Sequence, residues 1–260
     1  PELLSWQAGL YTRDNSGSPN QQIDMRGFGV FGDQNTLVLV DGQRISENEQ
    51  VPADLASIPL SSVERIEIMR GSGAVLYGGG ATGGTINIIT RGPKPNSAEG
   101  EIAAGYGTYA TSDLAAGVRL GGEKVGISVN ANQYDSNNYR ANNAIRQRNL
   151  QTDFHYYGQN GPIYLKLGTG EQDLRLPGPR SQDQLDGDRR GTANPNDHSE
   201  LRTTRANLGT SQALSFGELA ADLTYRERDL FALNDPGSAD IQGNVTTFSP
   251  RLKIPFSFWG

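Results

Sequence analysis

From residue 96 to the end of the chain, apolar and polar residues alternate with period two. Ile102, Ala104 and Tyr106 oppose Glu101, Ala103 and Gly105, and Leu114, Ala116, Val118 and Leu120 oppose Asp113, Ala115, Gly117 and Arg119. The pattern recurs at Val125–Ala131, Leu150–Tyr156, Ile163–Leu167, Ala206–Leu208, Leu219–Tyr225 and Phe248–Ile254. Successive side chains of a strand point to opposite faces, so each segment carries one apolar and one polar face, and these segments are predicted as strands. Their connections alternate too. Gly121–Glu123, Gly158–Gly161 and Leu214–Phe216 read as tight turns, whereas Asp135–Ala144, Asp173–Glu200 and Asp229–Gly243 read as long polar loops, with Thr108–Thr111 the short member of the long set.

Short turns at one end and long loops at the other are the pattern of an outer-membrane barrel, polar inside and apolar outside. A soluble antiparallel sandwich shares the period. Mid-strand Gly and Asn on the polar faces, and Tyr106, Tyr156, Tyr225 and Phe248 near strand ends as in an interfacial aromatic girdle, favour the barrel. The first ninety-five residues are different. Short β-like runs at Thr36–Val40, Val63–Met69 and Thr85–Thr90 lie between Gly-rich turns, with one helical stretch at Ala53–Ile58. The breaker Gly92-Pro93-Lys94-Pro95 divides a domain at 1–95 from one at 96–260.

Composition narrows the function classes. Gly occurs 33 times in 260 residues, against a usual share of about 7%, which suits turns and strands more than helix bundles. No apolar run exceeds four residues, whereas a membrane-spanning helix needs about 18 to 20. Absence of Cys removes thiol, disulfide and iron–sulfur chemistry, and His155 and His198 stand far apart. The net charge of 23 − 29 = −6, without a basic block, argues against nucleic acid as a partner. Gly27–Gly32 matches G-x-G-x-x-G but leads into a strand, the wrong context for a dinucleotide site, and Gly71–Gly84 lacks the Lys of a phosphate loop. Neither H-E-x-x-H nor G-x-S-x-G occurs. An enzyme is therefore not expected, nor a cofactor or resident metal. Asp183, Asp186 and Asp188 match no calcium-loop spacing and read as a solvated acidic loop.

Four motifs of the N-terminal part, in order, carry a resemblance. Ile23-Asp24-Met25-Arg26-Gly27-Phe28-Gly29, Leu37-Val38-Leu39-Val40-Asp41-Gly42-Gln43-Arg44-Ile45, Val63-Glu64-Arg65-Ile66-Glu67-Ile68-Met69-Arg70-Gly71, and Leu76-Tyr77-Gly78 with Gly83–Thr90 resemble the plug of TonB-dependent outer-membrane receptors. The resemblance implies a mainly β fold, a membrane-spanning antiparallel barrel of 22 strands with an N-terminal α+β plug in its lumen. Eight strands enclose only side chains, so about eight of the expected 22 strands are present, with the plug's own start and the TonB box missing. The implied function is import of a scarce extracellular ligand, a ferric siderophore or other iron chelate by default. Cobalamin, haem, a carbohydrate or a small cofactor are alternatives, and a surface-adhesive or structural barrel, or a soluble β-rich module, are others. Implied partners are TonB with its inner-membrane energising complex, the ligand, outer-membrane lipid and lipopolysaccharide, and a phage or bacteriocin, for a monomer in the outer membrane of a Gram-negative bacterium.

Site residues follow from that resemblance and its topology. Arg26, Arg65 and Arg70 are expected to form ion pairs between plug and barrel, as in similar receptors that use barrel glutamates. Ligand contacts are expected at the plug apices, from Phe28, Phe31, Asp33, Gln34, Glu47, Asn48, Glu49 and Gln50, and on the longest loop from Arg175 and Arg180, whose guanidinium groups match anionic oxygens. Intact mass of the natural protein extracted from outer membranes checks the architecture. The expected value is roughly two to three times the 28.0 kDa of this chain, as a 22-stranded barrel requires; a value near 28.0 kDa removes the transporter reading.

Overall fold

A computed structural model of the chain describes residues 2–14, 20–46, 52–71 and 79–255. The N-terminal part contains α1 (Glu2–Ser5), β1 (Leu10–Arg13), β2 (Gln22–Met25), α2 (Gly32–Asn35), β3 (Thr36–Val40), β4 (Gln43–Arg44), β5 (Val63–Arg70) and β6 (Gly84–Thr90). Strands β1 and β2 form a hairpin-like pair, and the other four form a mixed sheet in the order β4-β3-β6-β5, with β3 and β6 parallel. The apolar run of β3 is buried on both faces, as expected of a strand in the middle of a covered sheet. Val38, Ile86 and Ile88 of the sheet pack with Leu10, Ile23 and Met25 into one apolar core.

The remaining strands are β7 (Ser97–Gly107), β8 (Thr111–Gly121), β9 (Val125–Ser136), β10 (Ile145–Gly158), β11 (Gly161–Arg175), β12 (His198–Leu214), β13 (Gly217–Asn234) and β14 (Gly237–Lys253), with the short helix α3 (Gln182–Gly187) between β11 and β12. Each pairs antiparallel with its successor, giving an eight-stranded meander. Its inner face is polar and buried: Ser128 and Asp222 are each 1% exposed and Gln147 2%. Its outer face is apolar and bare, with Ile102 88% exposed and Phe248 66%. A contiguous apolar surface of this extent is stable only where something other than water covers it. No helix is long and apolar enough to cross a membrane, so any crossing belongs to the strands.

Two local expectations change. Asp229–Gly243, expected as a long loop, is the upper part of a hairpin whose strands run on to Asn234 and from Gly237, leaving Asp235-Pro236 as the turn. Asn, Asp and Gly signal a loop where backbone groups lack partners, but here the ladder continues and Leu230 faces Ile241 across it. The expected helical stretch at Ala53–Ile58 is a single 3-10 turn, Leu55–Ser57, closed by the Ser57 hydroxyl donating to the Asp54 carbonyl at 2.7 Å. Leu76-Tyr77-Gly78 lies outside the described residues.

Gly32 shows how tightly the N-terminal part is assembled. A Cβ there would stand 2.7 Å from Asp24 Cβ and 2.8 Å from the Ile23 carbonyl oxygen, both on β2. Gly32→Ala is expected to lower stability by about 1–3 kcal/mol because strand backbone must shift. Gly187→Ala, with nothing within 4 Å, is expected to leave it unchanged. Denaturant unfolding of the two variants in detergent checks the contrast.

Candidate functional site

Between the mixed sheet and the inner face of the meander lies a cavity of about 540 Å³, lined by Asp41, Arg44, Lys166, Arg205, Arg226 and Arg251 among others. Asp41 and Gly42 form the tight turn after β3, both with positive φ (51° and 78°). The Asp41 carboxylate accepts from the Thr90 amide at 2.8 Å and the Thr90 hydroxyl at 2.6 Å, tying the end of β3 to the end of β6. Lys166, on the inner face of β11, reaches across and donates to Asp41 at 2.7 Å and to Thr90 Oγ1 at 3.0 Å. One ammonium therefore joins the two sheets.

The charges continue along the inner face. Asp153 Oδ2 lies 3.6 Å from the Lys166 ammonium, and His155 Nε2 lies 2.9 Å from Asp153 Oδ1. The His155 and Tyr164 rings stack with centroids 5.7 Å apart. The Tyr164 hydroxyl donates to buried Asp222 at 2.6 Å, and Arg251 pairs with the same carboxylate at 2.6 Å. A second set of contacts holds the Leu55–Ser57 turn: Asn149 donates to the Ala56 carbonyl at 2.6 Å, Thr203 to Asp54 at 3.1 Å, and Arg205 to the Ser57 carbonyl at 3.2 Å. Arg226 adds a bond to the Ile45 carbonyl at 2.9 Å, and the Tyr157 hydroxyl one to the Pro93 carbonyl at 2.8 Å.

Among the described residues, the arginines expected to bridge plug and barrel form no ion pair with the strands of the meander. Arg65 pairs with Glu64 and Glu67 on its own strand, at 3.2 and 2.9 Å. Arg70 donates to the Ala8 carbonyl at 2.6 Å, and Arg26 is exposed at a positive-φ position of 74°. Both β5 arginines lie on the edge strand of the mixed sheet, and the Lys166 bond is made at the β3–β4 turn. In the described residues the meander supplies the cations and the N-terminal part the acceptors. Lys166 gave no motif in the sequence; its only signal is a charge at an inward position of a strand.

At the other end of β3 stand Phe28 (36% exposed), Val30 (58%) and Phe31 (50%). The turn presenting them is held by Asp24, whose two carboxylate oxygens accept from the Phe28 and Gly29 amides at 2.8 and 2.7 Å. Asp33 accepts from the Ile23 amide at 3.1 Å, and burial pushes its carboxyl above the usual range against the lowering effect of that bond. Gln34 is half-buried beside it. Val30, absent from the sequence-based selection, completes an apolar triplet. Glu47, Asn48, Glu49 and Gln50 lie outside the described residues.

The two loop arginines take other places. Arg175 is on the strand face opposite buried Gln172 and Leu174, hence on the outer side of the meander. Arg180 donates to the Gln184 carbonyl at 2.8 Å and so fastens α3. Asp183, Asp186 and Asp188 do not converge, and no metal-binding group of three or more acidic or histidine side chains occurs among the described residues. Other side chains organise that end. The Arg190 guanidinium lies 5.8 Å from the Tyr109 ring and 5.5 Å from that of Tyr139, and Arg140 donates to the carbonyls of Pro177, Gly178 and Gly191.

Removing the Lys166 ammonium leaves Asp41 half-buried with only Thr90. Lys166→Met is expected to weaken the contact between the two sheets by about 1–3 kcal/mol. Asp41→Asn combined with Lys166→Met is expected to cost less than the two single changes summed. Protease cleavage of the N-terminal part in the folded protein measures both.

The comparisons agree with this geometry. Residues 1–85 match the family model described as "TonB-dependent Receptor Plug Domain". The ferric enterobactin receptor PirA of Pseudomonas aeruginosa is 40% identical over 106 residues, 35% of this chain and 14% of that protein. The vitamin B12 transporter BtuB of Vibrio cholerae is 39% identical over 123 residues, 46% of this chain and 20% of that protein. The matched segments thus span less than a quarter of these relatives. Unliganded ferric citrate transporter FecA superposes with a TM-score of 0.84 at 19% identity, over 99% of this chain and 42% of that structure. Its fold, a plug inside a β-barrel wall, is the fold seen here. Residues 1–85 are therefore similar to the plug domain of TonB-dependent receptors, and the strands that clasp them share the fold of the FecA structure.

Proposed function

We propose that the protein is an outer-membrane receptor that binds a scarce extracellular ligand and imports it with energy delivered by TonB, and that it is not an enzyme. The observation that carries this reading is the reversed sheet, apolar outside and polar inside, with a folded domain bonded to its inner wall. A wall of this kind needs lipid outside and a polar partner inside. The plug is assigned to residues 1–95 and the barrel segment to 96–260. Import then requires work, because the Asp41–Lys166 pair and the bonds to the Leu55–Ser57 turn must open before a ligand passes. Ligand occupancy contributes only as far as it binds one plug state better than the other.

The cargo proposed is an iron chelate of the siderophore class, supported by the ferric enterobactin receptors among the relatives. Its contact is assigned to the apolar apex of Phe28, Val30 and Phe31, with Asp33 and Gln34 beside it. A cobalamin cargo is the second reading, supported by the vitamin B12 transporters that match at similar identity. Equilibrium binding of a ferric catecholate chelate and of cobalamin to the full-length protein, followed by uptake with and without TonB, tests both. Tight binding and TonB-dependent uptake of the chelate alone is expected; uptake that survives loss of TonB overturns the reading. Replacing Phe28 and Phe31 together by Ala is expected to weaken chelate binding about ten-fold or more, as loss of stacked aromatic anchors does. Arg175→Ala, on the outer face, is expected to leave affinity unchanged.

A further inference from the structure

The wall opposite the β3–β4 turn sets two arginines face to face. Arg205 of β12 and Arg226 of β13 are direct partners in the antiparallel register, and both line the cavity between plug and wall. Like charges directly opposed across a sheet are destabilising unless opposite charge lies beside them. Arg228, one inward position further along β13, joins both around a smaller recess next to the cavity. Toward the plug, Arg205 donates to the Ser57 carbonyl and Arg226 to the Ile45 carbonyl. These neutral acceptors satisfy donors and leave the charge in place. Among the described residues, nearby carboxylates leave it in excess. Six lysine and arginine side chains line the cavity against two acids, Asp41 and Asp153. Both acids gather at Lys166, at 2.7 and 3.6 Å, and Arg251 is paired with Asp222. Asp54 attracts Arg205 and accepts hydrogen bonds from Asn20 and Thr203, but no carboxylate among the described residues comes within ion-pair distance of Arg205.

The cavity's volume of about 540 Å³ lies within the range of small-molecule sites. Guanidinium groups match the paired oxygens of a carboxylate. Lys166, Arg205 and Arg226 stand on three successive strands, which at about 4.8 Å per strand spreads their backbones over roughly 10 Å. A compact anion such as phosphate meets one or two of these cations, whereas a molecule with carboxylates on separate carbons reaches all three. We propose that this cavity is a binding site for a small di- or tricarboxylate, with Arg205 and Arg226 on its carboxylates and Lys166 at its far end. Gly168, opposite Arg205, lines the cavity without a side chain and leaves room there. The site is separate from the apex of Phe28 and Phe31, since the two stand at opposite ends of β3. It goes beyond the cargo reading, which requires no second site.

Isothermal titration calorimetry of the full-length protein in detergent, with metal-free tricarballylate as the probe, tests the site. Saturable binding is expected, weaker at high salt and tighter than that of inorganic phosphate. Arg205→Gln is expected to weaken it about ten-fold, as loss of one charge-assisted partner does. That change also removes a bond to the Leu55–Ser57 turn. Arg228 makes no hydrogen bond or ion pair among the described residues, so Arg228→Glu tests the charge without touching the plug, and is expected to weaken binding by a similar factor. Protease resistance of the N-terminal part shows that both variants keep the plug docked. Lys124→Gln, in the turn between β8 and β9, and the double change of Phe28 and Phe31 to Ala are expected to bind as the parent does. Absence of saturable binding by the parent, or parent-like affinity in both arginine variants, overturns the proposal. Phosphate bound as tightly as tricarballylate overturns the assignment to polycarboxylates. The receptor reading fails separately, on uptake that survives loss of TonB.

Discussion

A buried polar wall must be met by polar groups, and the rest of this structure follows from that constraint. An inward-facing Asn, Asp or Arg stripped of water costs several kcal/mol unless it is hydrogen-bonded. The inner face of the meander carries buried polar side chains on every strand from β9 to β13. Part of their demand is met within the wall, as where Gln172 donates to Gln147 and Asn149 to Asn132. The remainder is met by the plug, whose turns present the Asp41 carboxylate and the carbonyls of Ile45, Ala56 and Ser57. The plug has an apolar core of its own, so it docks as a folded body and not as a filling of side chains.

That division has a functional consequence. Apolar packing between plug and wall would be non-directional and strong in proportion to area. Hydrogen bonds and the Lys166–Asp41 ion pair are directional and contribute little net free energy each when water can replace the partner. A contact of this kind is weakened wherever water can replace the partner, as at the cavity beside Lys166. The same logic places the long loops under tight internal control: Arg140 and Asn142 bond to several carbonyls of the 176–197 segment, so the loop's shape is set by its own side chains.

Much of the fold was legible because its causes are local. Thr36–Val40 matches β3 residue for residue, and Val63–Met69 and Thr85–Thr90 differ from β5 and β6 by one residue each. The tight turns at Gly121–Glu123, Gly158–Gly161 and Leu214–Phe216 are where the strands reverse. The hairpin through Asp229–Gly243 was not legible, since its polar residues satisfy a loop pattern and only the long backbone ladder with its neighbours decides otherwise. The apex residues Phe28 and Phe31 could be selected from sequence, but Val30 joins them only because a turn held by Asp24 turns all three outward.

Sequence alone determined which face of each strand is apolar, where the chain reverses, and that no run is long and apolar enough for a helical span, because these depend on the order of neighbouring residues. It also determined the plug, through glycines and motifs whose spacing is local. Tertiary structure alone decided which charges meet. Arg65 and Arg70 were expected to bridge to the wall, and among the described residues it is Lys166 with Asp41, 125 residues apart, that forms an ion pair between the two sheets. Pairing across such a separation depends on how two sheets approach, which no local pattern encodes.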